Sequence, residues 1–365
     1  MKKSIGILVI LMLTIGLFTF SMAEQDANIY SYTINQAQNI AVENSKQAVL
    51  DDKTIQQKQY DLTTTNQTAV NTGAGPDVDS VLNMKLTGNV RPIEAMATLE
   101  VAKMTKYDNL RNLKLDVFKS AENILLSHEE IGIAQQKVSI SEEKLKFAQS
   151  KYNADTITIT ELQNAEYALD ASKLNQEKAM NKLISLEYDF KNFLSLPLDE
   201  KSVTINEDLA YSVFSSTDID GIVKDAFVKN TDIYQKTKNV EAKQKTMDIT
   251  VGLFKKGDLT YDINSLDLQI AQMDLDDAKT KLEADILNKY NDLLSMQDKL
   301  KLSQTYSQIA EKSYKDAQTR FDKGMINKEA LLTANEGYID ALYQKNSVIH
   351  DYNITKAEFG NMTGK

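Results

Sequence analysis

From Leu110 onward, apolar and small residues recur at intervals of three and four: Leu110, Leu113, Val117, Ser120, Ile124, Ser127, Ile131, Ala134, Val138, Ser141, Leu145, Ala148 and Tyr152. That spacing is a heptad seam, the mark of a helix packed along its length on a partner helix. The seam has two ranks. One is mostly Leu, Val or Ile, while the other, from Ser120 on, is Ser120, Ser127, Ala134, Ser141 and Ala148. Small side chains at alternate positions let two helix axes approach more closely than a leucine seam allows, which predicts a tight antiparallel pair. A second seam with the same small rank follows as Leu162, Ala165, Leu169, Ser172, Gln176, Ala179, Leu183 and Leu186. Between the two lie Asn153, Ala154 and Asp155, which suit a turn, and the run Thr156-Ile157-Thr158-Ile159-Thr160, whose alternation imitates a strand. Two matched helices joined by so short a connection form a hairpin, and the alternating run is the exit from its tip.

The chain matches itself at an offset of 169 residues, where "AQSKYNADTITITELQNA" meets "AQTRFDKGMINKEALLTA". One register holds along both arms: Leu113 meets Leu282, Ile131 meets Leu300, Leu162 meets Leu331, Ala165 meets Ala334, Ser172 meets Ala341 and Phe190 meets Phe359. The second copy lacks the alternating run and has Gly324 where Asp155 stands, which favours a turn at both places. A shorter match, "IAVENSKQAVL" on "AFVKNTDIYQK", sets Asn44 on Asn230 at an offset of 186, so the first half carries 17 extra residues. These fall within about 70–95, where Gly73, Gly75, Pro76, Gly88 and Pro92 oppose a continuous helix. Each half therefore reads as a leading helix (about 34–69 and 217–255), an insert, a long helix (about 95–152 and 262–322), a tip, and a returning helix (about 159–195 and 327–361). The repeats divide as 24–210, with a tip near 153–158, and 211–365, with a tip near 322–327.

Composition agrees with rods. Only three prolines occur, at Pro76, Pro92 and Pro197, and there is no Trp to anchor a large globular core. Cys is absent as well, which removes disulfides, thiolate metal sites and a cysteine nucleophile. Residues 1–23 read as a signal peptide: Lys2 and Lys3, an apolar run from Ile5 to Phe20, then Ser21-Met22-Ala23 as a cleavage site. Its loss would take the net charge from −10 to −12, which disfavours nucleic acid as a partner.

The leading "YTINQAQNIAVENSKQAV", the tip elements "KYNADTITITELQNAE" and "RFDKGMINKEALLTANE", and "FLSLPLDE" closing the first half together resemble the TolC-type outer-membrane efflux family over almost the whole mature chain. The resemblance implies an all-α fold of duplicated, long, antiparallel coiled-coil hairpins forming part of an α-helical tunnel. It also implies a homotrimer, an extracytoplasmic adaptor that meets the hairpin tips, and an inner-membrane transporter that supplies the substrate. By position, the adaptor-docking tips are Asp155, Thr156 and Ile157 in one half and Gly324, Met325 and Ile326 in the other. The packing seam comprises Ser120, Ser127, Ala134, Ser141, Ala148, Ala165, Ser172, Ala179, Ala334 and Ala341. The location implied is the cell envelope, at an outer membrane where the cell has one.

The sequence departs from that family in its inserts. The first offers only Leu82, Met84 and Leu86 in alternation and the second Leu259, Tyr261 and Ile263, enough for at most one short residual strand per half and too little for a membrane-spanning barrel strand. Ala330 and Thr333 follow Glu329 where an acidic pore ring would be expected, so gating by such a ring is not supported. His128-Glu129-Glu130 reads as a surface charge cluster, other carboxylates as solvated heptad positions, and Gly73-Ala74-Gly75 lacks the residues of a phosphate loop. No catalytic, cofactor or metal residue is assigned, and no enzymatic activity is expected. The competing reading is an exported coiled-coil scaffold of the envelope that has lost the channel.

Overall fold

The computed structural model describes residues 29–71, 73, 75–215 and 218–364; the signal-peptide reading lies outside them. Strand β1 (Ile29–Tyr32) leads into helices α1 (Ile34–Glu43), α2 (Lys46–Asn71), α3 (Val78–Asn89), α4 (Arg91–Asn153) and α5 (Ile159–Phe193). Strand β2 (Ser202–Ile205) follows, then α6 (Ile219–Lys229), α7 (Thr231–Val251), α8 (Leu259–Asp322) and α9 (Lys328–Met362). The two long helices, of 63 and 64 residues, are each about 95 Å long at 1.5 Å per residue. Pro92 sits in the first turn of α4, where its missing donor would be unspent in any case.

The helices form a layer. Toward the tips they lie side by side in the order α5, α4, α9, α8, and toward the opposite pole in the order α2, α4, α7, α8, with α3 against α2, α4 and α7. One apolar cluster ties α1 and α5 to the middle of α4 through Ala37, Ala41, Val117, Ala121, Ile124, Phe190 and Leu194. Its counterpart in the second half joins α6, α8 and α9 through Ile222, Ala226, Ile286, Leu293, Tyr352 and Phe359.

Each leading segment is two helices where the sequence pattern suggests one. The breaks fall at Asn44 and Asn230, the very residues that the 186-residue offset superposes. At the first, Asn44 donates its side chain to the carbonyl of Leu194 at 2.9 Å and Ser45 accepts from the N–H of Ala48 at 3.2 Å to start α2; at the second, Asn230 accepts from the N–H of Ile233 at 3.0 Å to start α7. The strand candidates of the inserts are helical: Leu82, Met84 and Leu86 lie in α3, and Leu259, Tyr261 and Ile263 in the first turns of α8. An isolated short strand would leave its backbone donors unpaired, whereas a helix satisfies them within itself, and Asp77 starts α3 by accepting from the N–H of Ser80 at 2.8 Å. Among the described residues the strands lie elsewhere. β1 and β2 pair in parallel from Ile29 opposite Ser202 to Tyr32 opposite Ile205, covering the first cluster with Val203 and Ile205. No helix among the described residues is long and apolar enough to cross a membrane.

Candidate functional site

The two tips are built on one hydrogen-bond plan. At the first, Thr156 N–H donates to the carbonyl of Lys151 and Asp155 N–H to that of Tyr152, both at 2.9 Å. At the second, Met325 N–H donates to Arg320 and Gly324 N–H to Phe321, both at 2.8 Å. This nested pair closes a helix only when the residue after the cap is left-handed, and Asp155 and Gly324 have φ of 54° and 70°. The next helix starts at once. Thr158 and Glu161 form a capping box, and Asn327 accepts from the N–H of Ala330 at 2.9 Å. The backbone N–H and then the hydroxyl of Thr158 hold the Glu161 carboxyl below its usual range. The alternating Thr-Ile run is thus one helix end followed by one helix start. Asp155, Thr156, Gly324 and Met325 stand exposed at the apices, while Ile157 and Ile326 tuck partly beneath them. Beside the second tip an open groove of about 740 Å³ runs between α8 and α9, past Ile309, Ala317, Arg320, Ile326, Ala330 and Ala334.

Of the small-residue seam, Ser120, Ser127, Ser141 and Ala341 are buried, while Ala134, Ala148, Ala165, Ser172, Ala179 and Ala334 are partly buried. The hydroxyls of Ser141 and Ser172 meet across the first hairpin at 2.8 Å. Those of Ser120 and Ser127 are buried with no hydrogen-bond partner, so their smallness, not their polarity, suits the site. Ser127→Ala is therefore expected to be neutral or to stabilise by up to about 1 kcal/mol. Ser127→Leu should cost about 1–3 kcal/mol by overpacking, read in a denaturant titration. A neutral leucine would show that the pair is not closely packed.

A second seam, between the hairpins, combines a buried apolar cluster of Ile133, Ile140, Leu332 and Ile339 with a rank of polar contacts, and here the structure corrects the reading of the carboxylates as solvated. Glu122 and Glu129 of α4, seven residues apart, accept from Asn353 and Asn346 of α9, also seven apart, each at 3.0 Å. Asn123 faces His350 at 2.9 Å, and Glu130 accepts from the Tyr343 hydroxyl at 2.7 Å and from Lys182 of α5 at 2.6 Å. Hydrogen bonding to Glu130, then burial, pushes the Tyr343 phenol up to about 12. Toward the tips the contacts become ion pairs: Lys137 with Asp340 and Lys144 with Glu336 at 2.6 Å, then Lys151 with Glu329 at 2.7 Å. Such partly exposed pairs contribute little singly, about 0–1 kcal/mol. The matching seven-residue spacings of Glu122/Glu129 and Asn346/Asn353 were the signal available in the sequence. Glu129 and Glu130 of the His128 cluster are thus engaged with α9 and α5, while His128 is exposed.

The layer has two open edges. On one, α8 presents Leu259, Ile263, Leu266, Ile270 and Met273, each about half exposed or more, at heptad spacing, followed by Leu294, Tyr306 and Ile309. On the other, α5 presents Tyr167, Leu174, Ile184 and Tyr188, and α2 presents Val49, Tyr60 and Val70.

No protein-family model and no curated protein sequence matches the chain. Solved structures do. The outer membrane protein VceC from Vibrio cholerae matches with a TM-score of 0.70 at 10% identity, over 91% of this chain and 96% of that one. The CmeC outer membrane channel of Campylobacter jejuni matches with a TM-score of 0.66 at 11% identity, over 91% and 85%. This is the fold of the outer-membrane channels. The open-state MtrE channel of Neisseria gonorrhoeae shares it too, with a TM-score of 0.64 at 14% identity, over 91% and 88%. Within the channel fold, the helical architecture implied by the TolC-type resemblance is observed, and the inserts of this chain carry no strand among the described residues.

Proposed function

We propose that the chain is a subunit of an exit duct in an export or efflux system of the cell envelope. Three copies, the number the TolC-type resemblance implies, close edge to edge into a helical tunnel. Substrates pass through it passively. The observation that carries this reading is the layer with two unmatched apolar edges, because a contact between α8 of one copy and α5 and α2 of the next is heterologous, and repetition around an axis leaves no edge exposed. The tips, with the groove beside the second, are the surface on which an adaptor from an inner-membrane transporter docks.

The inserts, strand-free among the described residues, favour attachment to an outer membrane through another component. They also keep the scaffold reading in play. The tips separate the two. Met325→Arg or Thr156→Arg should lower export from cells roughly tenfold while leaving the mass of the assembly unchanged, since both residues are exposed at tips closed by backbone bonds, which remain when Thr156→Arg removes the hydroxyl that donates to the Lys151 carbonyl at 2.8 Å. Export that withstands both substitutions, or was never present, contradicts the duct.

A further inference from the structure

The seam between the hairpins buries a carboxylate without a cation. Glu122 is only 4% exposed, and its Oε2 accepts from Nδ2 of Asn353 at 3.0 Å. The same Asn353 nitrogen donates to the carbonyl of Ala210 at 2.8 Å. Glu122 thus stands where three parts of the chain meet: α4, α9 and the linker 206–215. The linker is strapped down close by, through Tyr352 to the Ser212 carbonyl at 3.1 Å and Lys356 to the same carbonyl at 2.8 Å.

The surrounding charges do not neutralise it. From the linker comes another acid, Glu207, whose Oε1 is engaged by the N–H of Ile34. Along α9, His350 is held by Asn123 and Asp351, Lys356 by Ser212, and Glu358 by Lys119 and Lys289. On α4 itself, Glu129 is engaged by Asn346. The cluster that α1 and α5 form against this part of α4 is apolar, with Ala37, Ala41, Phe190 and Leu194.

We propose that Glu122 is a proton-operated latch between the two hairpins: protonated, it lets α4, α9 and the linker close on one another, and ionised, it loosens that junction. Burial pushes its carboxyl up to about 7; the Asn353 hydrogen bond opposes this and the charge of Glu207 adds to it. Because the folded value lies above the ordinary value of 4.5, the closed junction binds the proton more tightly than the open one. Its stability is therefore greatest on the acid side and declines as pH rises toward and through about 7. The latch is a property of the seam within one chain and does not rest on the duct reading.

The chain has no cysteine, so spin labels can be placed at will. Gln136→Cys on α4 and Gln344→Cys on α9, both exposed, report the gap between the hairpins in the full chain. The distance distribution should be narrow at about pH 6 and broader and longer at about pH 8.5. Glu122→Gln should abolish the change, and His350→Gln should retain it. Glu207→Gln, exposed and still able to accept from Ile34, should move the midpoint of opening to higher pH or shrink the change, because it removes the like charge that opposes ionised Glu122 in the closed junction. Should Glu122→Gln fail to fold, the Glu207→Gln transition decides. A pH-independent distance in the parent, a transition that survives Glu122→Gln or is lost in His350→Gln, or a Glu207→Gln transition unchanged in midpoint and size overturns the latch.

Discussion

Phe359→Ala is expected to destabilise the chain by about 3–5 kcal/mol, the range for removing a fully enclosed phenylalanine. Phe359 is 2% exposed, meets Phe214 edge to face with ring centroids 5.3 Å apart, and packs beside Tyr290. It joins the linker to both arms of the second hairpin, so an empty space there cannot collapse by moving one helix alone. Phe190, its partner under the 169-residue offset, is fully buried in the first cluster, and Phe190→Ala should cost a similar amount. Denaturant titration reads both as a lower midpoint at constant slope. A loss below about 1 kcal/mol at either position would mean that these aromatics are not the pins of their halves.

A charge on the α8 edge is expected to abolish assembly while leaving the subunit folded. Leu294 is 38% exposed and Ile309 is 61% exposed, so Leu294→Glu with Ile309→Glu removes little packing within the chain. In a closed ring the two carboxylates would face the α5 edge of the next copy, and burying unpaired charges there costs several kcal/mol per contact, on the order of 3–5. Mass in solution should fall to that of one chain with an unchanged helical signal. An assembly that survives would place the interface elsewhere.

The hairpins were legible because heptad spacing is local and the duplicated register checks it twice. Asp155 and Gly324 could be matched as turn residues before their left-handed backbones were visible. The paired strands were not legible. Ile29–Tyr32 and Ser202–Ile205 are each four residues long, and the partner lies beyond five helices, so no local pattern announces the parallel pairing. Alternation misled at Leu82, Met84 and Leu86, because period two in so short a run is also met by a helix with three partly buried sides, as α3 has against α2, α4 and α7. The polar seam escaped notice for a different reason. Residues such as Glu122, Lys137 and Lys144 look solvated on a heptad wheel, and only the placement of α9 shows that they face another helix. The open edges were not legible because the 169-residue offset sets Leu294 on Leu125 and Ile309 on Ile140, apolar residues that are buried in the first half. Leu294 and Ile309 look like ordinary core positions until α8 is seen at the margin of the layer.

Electron microscopy of the purified wild-type assembly, viewed down its long axis, tests the tunnel wall most directly. The expected image is a hollow ring with threefold symmetry, each third contributing four helix densities in the order α5, α4, α9, α8 near the tips. Single, unclosed layers of four helices at working concentration, or a filled bundle with no central hole, would contradict it.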